Sequence, residues 1–282
     1  MLGSLELVYW PIRGRGYPVV LLLKAARVPF TYIELAFDKD EHHGAKQRGE
    51  LGLDDFPFGA LPVLKVTSEE GEAVIAETSA ILRYLETVVE RELVVDPFKE
   101  LSPLDQARID MVHSAALFNS TVLFNSASSP TWLEGGDRAH LEHERILPFL
   151  RGLEHQLGSS SFPREAAFEP RRLSNGGVLF SAAACAIAYT LSMVCDVFPF
   201  SLARPLAASD PRQHGTLEAR FPACAAVLRA VEGATGVAEW VASGERKERW
   251  SNWASFTPDK VRAAAERFDR EVVDPEGREA LS

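Results

Sequence analysis

Tyr9 and Arg15 are the first residues along the chain whose types and spacing suggest chemistry. Tyr9 ends a short run of mostly β-favouring residues, and Arg15 follows six positions later in a loop with Gly14 and Gly16. A phenolic hydroxyl donates a hydrogen bond without losing its proton, and an arginine is a permanent positive charge. Such a pair can stabilise an anion. Alternatively, Tyr9 is only a strand-end aromatic residue, and Arg15 is a solvated loop residue or part of an inter-domain salt bridge.

A second polar pair, Glu77 and Thr78, lies where a helix is predicted to begin. A glutamate accepts hydrogen bonds from an ammonium group, while a threonine at a helix start offers a hydroxyl and a backbone N–H to a carboxylate. Thr78 can also be a plain N-cap, and the two roles are compatible.

Two histidine pairs are candidate metal ligands. His42 and His43 are adjacent in a polar stretch, and His140 and His143 are three residues apart on a predicted helix. The helical pair has no third ligand in view, whereas catalytic zinc sites use three protein ligands and structural ones four. We therefore predict no metal site.

The elements around Tyr9 and Thr78 predict a βαβ-ββ-α order. Strand-like segments at 5–9 and 30–35 flank an apolar helix at 18–26, two short strands follow at 61–66 and 73–76, and helical spacing begins at 78. This is the thioredoxin-like arrangement. We assign it to a domain spanning residues 1–88.

The rest of the chain has helical patterns and no clear strand. Helices are predicted at 104–124, 141–157, 178–198 and 221–242. The Gly-, Ser- and Pro-rich segment 158–177 is interpreted as a long exposed loop, and 244–282 as an extended tail. We therefore predict a second, all-α domain over 100–282.

Composition narrows the function classes. The net charge of −10 disfavours binding to nucleic acid, which requires a basic face. The chain begins without a basic and apolar leader and lacks an apolar run of membrane-spanning length, so we expect a cytoplasmic protein without membrane contact. Its three cysteines lie far apart in apolar surroundings, which favours buried, reduced thiols.

A family resemblance enters at the loop after the first strand, which reads Tyr9-Trp10-Pro11-Ile12-Arg13-Gly14-Arg15. This run is similar to the tyrosine-bearing opening of mu-, alpha- and sigma-class cytosolic glutathione transferases. Residues 56–64 resemble the family segment whose proline is cis, 77–81 its Glu/Gln-Ser-x-Ala-Ile motif, and 221–241 the closing helix of its α domain. The resemblance is good over 3–87 and loose over 100–242. It implies an N-terminal thioredoxin-like domain followed by a helical bundle.

The resemblance also implies roles for the candidate residues. Tyr9 would donate a hydrogen bond to the sulfur of glutathione, whose thiol has an ordinary pKa of about 8.5, and Arg15 would add positive charge nearby. Arg13 is expected to support the domain interface. The glutathione-binding residues are expected to be Trp10, Arg48, Ala60, Leu61, Pro62, Glu77 and Thr78.

Each part of glutathione has a candidate partner in this set. The backbone of Leu61 would pair with the cysteinyl part, while Glu77 and Thr78 would hold the γ-glutamyl end. Arg48 would hold the glycyl carboxylate, with Lys46 as the alternative.

Three departures from the family pattern are visible in the sequence. In mu- and sigma-class relatives an acid from the partner subunit reaches the glutathione amine, and the aligned region here reads Leu117-Phe118-Asn119, without an acid. Gly44 stands where mu and sigma enzymes usually have a tryptophan. Ala184 stands where the family has the aspartate of a helix cap, and the loss of a cap costs about 1 kcal/mol unless another group substitutes.

Three functions remain open at this point. The first is a glutathione transferase that adds the thiolate to an apolar electrophile in detoxification, in a pocket near Trp10, Phe118 and the tail. The second is a glutathione-dependent isomerase similar to prostaglandin synthases. The third is a non-catalytic, ligand-binding member of the family. In each case the family implies a homodimer.

Overall fold

A computed structural model of the chain describes residues 3–35, 52–69, 71–95, 101–127, 138–198, 217–246 and 263–264. Its amino-terminal elements are β1 (Ser4–Tyr9), α1 (Tyr17–Ala25), β2 (Thr31–Glu34), β3 (Val63–Ser68), β4 (Gly71–Ala76) and α2 (Thr78–Leu93). The four strands form one sheet in the order β2-β1-β3-β4. Strand β1 pairs parallel with β2 and antiparallel with β3, and β3 pairs antiparallel with β4. The thioredoxin-like order predicted from the sequence is confirmed.

Helix α1 is buried on nearly all sides, as its continuous apolar sequence predicts. Every residue of α1 except Lys24 is buried. The helix packs against α2 on one side and against helices of the second domain on another. Pro18 fits the first turn of α1, where a missing backbone N–H costs no hydrogen bond. The loop that carries Arg15 is therefore held between β1 and a buried helix.

The second region is helical. Its helices are α3 (Pro103–Ala127), α4 (Arg138–Leu141), α5 (Leu147–Gly158), α6 (Arg164–Phe168), α7 (Ala182–Val197), α8 (Leu217–Arg220), α9 (Pro222–Glu232) and α10 (Thr235–Ala242), and a π-helical turn (Glu142–Ile146) joins α4 to α5. Helix α7 is the centre of this region, since only Cys195 and Asp196 among its residues are less than fully buried. The segment 221–242, predicted as one helix, forms two helices, because the helical conformation is interrupted at Gly233 and Ala234.

The segment 158–177 is not an exposed loop, and that prediction is wrong. It contains α6 and a two-residue strand, β5 (Arg171–Arg172), which pairs with β6 (Val178–Leu179). Phe162, Ala167 and Leu173 are buried in the main core. Most of the Gly, Ser and Pro residues of the segment lie between its regular elements, while a few apolar side chains anchor it to the core.

The two regions are joined by polar as well as apolar contacts. The guanidinium of Arg13, in the loop after β1, lies 2.6 Å from the Asp196 carboxylate on α7. Arg13 thus supports the domain interface, as the family resemblance implies. Within the described ranges, no helix has both the length and the apolar content that crossing a bilayer requires.

Candidate active site

Tyr9 lies at the end of β1, beside the end of β2 and next to the point where β3 begins. It faces Glu34 in the parallel ladder, and the neighbouring Val8 faces Val63 in the antiparallel one. The side chain is only 1% exposed. It belongs to a small apolar cluster with Val8, Ile12, Leu61, Val63 and Ala76. The sheet therefore brings Tyr9 and Leu61 together, although they are 52 positions apart in the sequence.

The loop after β1 closes over the Tyr9 ring. A Cβ added at Gly14 would lie 2.3 Å from the Tyr9 hydroxyl oxygen, and one added at Gly16 would lie 2.8 Å from its ring. Both distances are shorter than real carbon contacts allow. The two glycines are needed because the loop backbone lies directly against the tyrosine.

The backbone of this loop supplies hydrogen bonds to the phenol. The N–H groups of Arg15 and Gly16 donate to the Tyr9 hydroxyl oxygen. Burial raises the pKa of Tyr9 to about 12, while the Arg15 guanidinium and the two N–H donors act in the opposite direction. Tyr9 therefore keeps its proton at neutral pH and can donate it in a hydrogen bond. Arg15 itself is exposed.

Thr78 connects the start of α2 to the same loop. Its buried side-chain hydroxyl donates to the carbonyl oxygen of Arg15 at 3.0 Å. Glu77, just before it, is exposed and has φ of 71° and ψ of 122°, a left-handed conformation that is uncommon outside glycine. Tyr9, Arg15 and Thr78 are thus directly linked, and Glu77 lies beside them.

The remaining predicted binding residues adjoin this group. The Leu61–Pro62 peptide bond is cis, as the family segment implies. Ala60, half-buried, precedes it. The Trp10 carbonyl accepts a hydrogen bond from the Tyr32 hydroxyl at 2.7 Å, and the Trp10 ring centroid lies 5.6 Å from that of Tyr9.

Arg48, the predicted cation for the glycyl carboxylate, lies outside the described residues. The same holds for its alternative, Lys46, and for the aromatic residues of the tail. No group of three His, Cys, Asp or Glu side chains suited to a metal ion occurs in the part of the chain that is described.

An aromatic cleft of about 320 Å³ lies between α1, β2 and the end of α10. Its aromatic walls are Tyr17, Phe30, Tyr32 and Trp240, and Ile12 borders it from the loop after β1. The Lys24 ammonium lies 5.5 Å from the Phe30 ring centroid and 5.9 Å from that of Trp240.

This cleft differs from the second-substrate pocket that we expected from the sequence. Trp10 and Phe118 are not among its lining residues, and Phe118 is instead exposed on α3. Phe118 is seven residues from the exposed Met111 on the same helix. The sequence shows this helical spacing, but it does not show whether the Phe118 side chain faces the domain interface or solvent.

The candidate residues predicted from the sequence do not include Gly14 and Gly16. Their signal was the Gly-Arg-Gly pattern around a candidate residue, which is typical of a backbone that approaches another group closely. Tyr32 was also missed. It lies on the neighbouring strand, and no local pattern marks a tyrosine that bonds to the carbonyl of Trp10.

Comparisons with known proteins bear on both regions. The family model described as "Glutathione S-transferase, N-terminal domain" matches residues 17–88. No curated protein sequence matches the chain. Among solved structures, the Fasciola hepatica sigma class GST aligns with 86% of this chain and 97% of its own, at 18% identity and a TM-score of 0.60.

Two other solved structures are also similar in fold to this chain. An Onchocerca volvulus pi-class glutathione S-transferase covers 85% of this chain and 93% of its own, at 18% identity and a TM-score of 0.57. Rat hPGDS, solved with a quinoline, covers 88% of this chain and 100% of its own, at 16% identity and a TM-score of 0.57. Residues 17–88 therefore match a glutathione S-transferase N-terminal domain, and the chain has the fold of these solved glutathione S-transferases.

Proposed function

We propose that this protein is a glutathione transferase in which Tyr9 activates the glutathione thiol. One observation carries the proposal: the Tyr9 hydroxyl oxygen accepts two backbone N–H bonds from the loop at Arg15 and Gly16. With both donors on its oxygen, the phenol still has its own proton to donate. The polarised O–H is a hydrogen-bond donor for a sulfur anion.

The chemistry follows from the pKa of the thiol. A free thiol with a pKa of about 8.5 is mostly protonated at neutral pH, and only the thiolate is nucleophilic. Donation from Tyr9 to sulfur stabilises the thiolate, and the positive charge of Arg15 adds to this. The pKa of Tyr9, about 12, supports a donor role rather than a role as general base.

We propose that glutathione is held along the edge formed by residues 60–62 and the start of α2. The Leu61 backbone pairs with the cysteinyl part, the exposed Glu77 carboxylate accepts from the γ-glutamyl ammonium, and the first N–H groups of α2 face the adjacent carboxylate. Arg48 remains our proposed partner for the glycyl carboxylate.

The aromatic cleft is our candidate for the electrophile. Its rings favour a flat molecule, and Arg13, Lys24, Glu34 and Glu245 add charged groups to the lining. A volume of about 320 Å³ is at the small end of ligand sites. Ile12, three residues after Tyr9, lines the cleft, so the loop after β1 forms one of its walls.

We further propose that the protein is a homodimer. Leu104, Met111 and Phe118 are 61%, 47% and 62% exposed, and their spacing of seven residues places them on one face of α3. An exposed apolar stripe of this kind favours an interface with a second copy.

The substitution Tyr9→Phe tests the thiol mechanism. Without the phenolic donor, we expect the pKa of bound glutathione thiol to rise by about 1–2 units and conjugation of an aryl halide at pH 6.5 to fall about 10- to 100-fold. Tyr84→Phe, on the half-buried part of α2, is the matched control and keeps full activity. A Tyr9→Phe enzyme with unchanged thiol pKa and rate would refute the tyrosine mechanism.

Product analysis separates the transferase from an isomerase. A transferase consumes glutathione and forms a conjugate, whereas an isomerase returns free glutathione at the end of each cycle. The fold is equally similar to a pi-class transferase and to rat hPGDS, at a TM-score of 0.57 for each. Mass spectrometry of the products therefore decides between them, and failure to bind glutathione at millimolar concentration would favour a non-catalytic protein.

A further inference from the structure

Thr78 has a contact that its expected role in binding glutathione does not explain. Its Oγ1 donates to the Arg15 carbonyl oxygen at 3.0 Å, across 63 residues of sequence. A threonine hydroxyl has a single proton to donate. The Thr78 hydroxyl therefore cannot donate to a γ-glutamyl carboxylate at the same time as it donates to Arg15.

The acceptor of this bond belongs to a peptide unit that also contacts Tyr9. The carbonyl of Arg15 and the N–H of Gly16 are the two ends of one planar peptide, and in a trans peptide they point in opposite directions. The Gly16 N–H donates to the Tyr9 hydroxyl oxygen. Thr78 on one side of this peptide and Tyr9 on the other thus fix its orientation together.

The backbone before Thr78 is in an unusual conformation. Glu77 has a φ of 71° although it has a side chain, and its carbonyl accepts the hydrogen bond from the Ile81 N–H that starts α2. Such a conformation is energetically costly and persists only where the surrounding structure requires it. Here it turns the chain between β4 and α2 and leaves the Thr78 side chain buried against the loop.

We propose that Thr78 is a positioning residue for thiol activation: its hydroxyl fixes the Arg15–Gly16 peptide, which in turn orients the phenol of Tyr9. This inference rests on the proposed function of Tyr9. Thr78 then acts on the ionisation of the bound thiol and contributes little to glutathione affinity through its side chain.

Two substitutions and two readouts test the proposal. Thr78→Val keeps the branched shape and removes the donor, while Thr78→Ser keeps the donor. The thiol pKa of bound glutathione is measured from thiolate absorbance against pH, and the Kd for glutathione by calorimetry at pH 5.5. For Thr78→Val we expect the thiol pKa to rise by about 1 unit and the Kd to change less than about threefold. Thr78→Ser should retain the wild-type thiol pKa.

The opposite result, a change in the Kd for glutathione without a change in the thiol pKa, would overturn the proposal. If Thr78→Val raises the Kd tenfold or more and leaves the thiol pKa unchanged, the hydroxyl is a direct ligand of glutathione. If Thr78→Val does not fold, the same comparison is made between Thr78→Ala and Thr78→Ser, with the melting temperature recorded for each. A normal thiol pKa in Thr78→Ala also refutes it.

Failure of the proposed function has a different signature. If Tyr9 does not activate the thiol, glutathione bound to the wild-type protein has the pKa of free glutathione, and Tyr9→Phe changes nothing. If the wild-type protein lowers the thiol pKa through Tyr9 but the Thr78 variants leave that pKa unchanged, only the positioning role of Thr78 is wrong.

Discussion

The Glu86 carboxylate on α2 accepts a hydrogen bond from the backbone N–H of Ala182, the first residue of α7, at 3.2 Å. Ser181 caps the same helix by accepting from the Ala184 N–H at 3.0 Å. The start of α7 therefore receives a carboxylate from the other region, on the N–H next to Ser181, while the third position of the helix holds Ala184 and no acid. The central helix of the α region thus depends on the thioredoxin-like domain for part of its cap.

Replacing Glu86 with alanine should destabilise the protein. The change leaves the Ala182 N–H without its acceptor and removes a carboxylate that contacts the buried Arg171, which Glu90 also contacts. We expect the free energy of unfolding to fall by about 2–4 kcal/mol, measured by urea denaturation. Glu218→Ala, which removes an exposed partner of Arg229, should cost less than about 1 kcal/mol. Equal losses in the two variants would contradict the capping role.

Replacing Gly14 with alanine should disturb Tyr9. The new methyl group would lie 2.3 Å from the Tyr9 hydroxyl oxygen, so either the phenol or the loop has to shift. We expect conjugation to fall by about 10- to 100-fold, because small displacements of catalytic groups are costly. The initial rate with an aryl halide at saturating glutathione is the measurement.

Gly152→Ala is the matched control for this experiment. A Cβ at Gly152 meets nothing within 4 Å, and the residue lies in α5. The variant should gain about 0.5–1 kcal/mol of stability and keep its rate. If Gly14→Ala also keeps the wild-type rate, the close contact between the loop and Tyr9 is not needed for activity.

His113 should make the protein less stable as the pH falls below neutral. Burial lowers the pKa of His113 from its ordinary 6.5 to about 4, with the Arg83 charge acting in the same direction. Between these values the unfolded chain binds a proton that the folded protein does not bind. His113 therefore contributes a loss of up to about 3 kcal/mol between pH 6.5 and pH 4.

His113→Leu tests this pH dependence. The free energy of unfolding of the variant should fall less steeply than that of the wild type between pH 6.5 and pH 4. The same replacement at the exposed His155 on α5 is the control for the loss of an imidazole. Parallel curves for wild type and His113→Leu would show that His113 is protonated equally in both states.

Charges placed on the apolar stripe of α3 should weaken the proposed dimer. The double variant Met111→Glu and Phe118→Glu places negative charges in the proposed interface, and we expect the dimer dissociation constant to rise at least about tenfold. Sedimentation equilibrium measures it. Val241→Glu, an exposed apolar position on α10, should leave association unchanged. A monomeric wild-type protein would refute the dimer itself.

The sequence alone determined the thioredoxin-like order because each element has a strong local pattern. The apolar run of α1, the two short apolar segments of β3 and β4 on either side of a turn, and the hydroxyls at the start of α2 are all visible within a few neighbouring residues. The cis Leu61–Pro62 bond was likewise expected from the segment that resembles the family.

Only the tertiary structure decided how these elements share contacts. Three contacts join residues that are far apart in the sequence or that belong to different structural elements. They are the hydrogen bond from Thr78 to Arg15, the cap of Ala182 by Glu86, and the close approach of Gly14 to Tyr9. No periodicity encodes such contacts, because one buried hydrogen bond depends on where two separate backbones come to lie. The same reason explains why 158–177, polar in composition, folds onto the core: a few buried apolar side chains outweigh its average character.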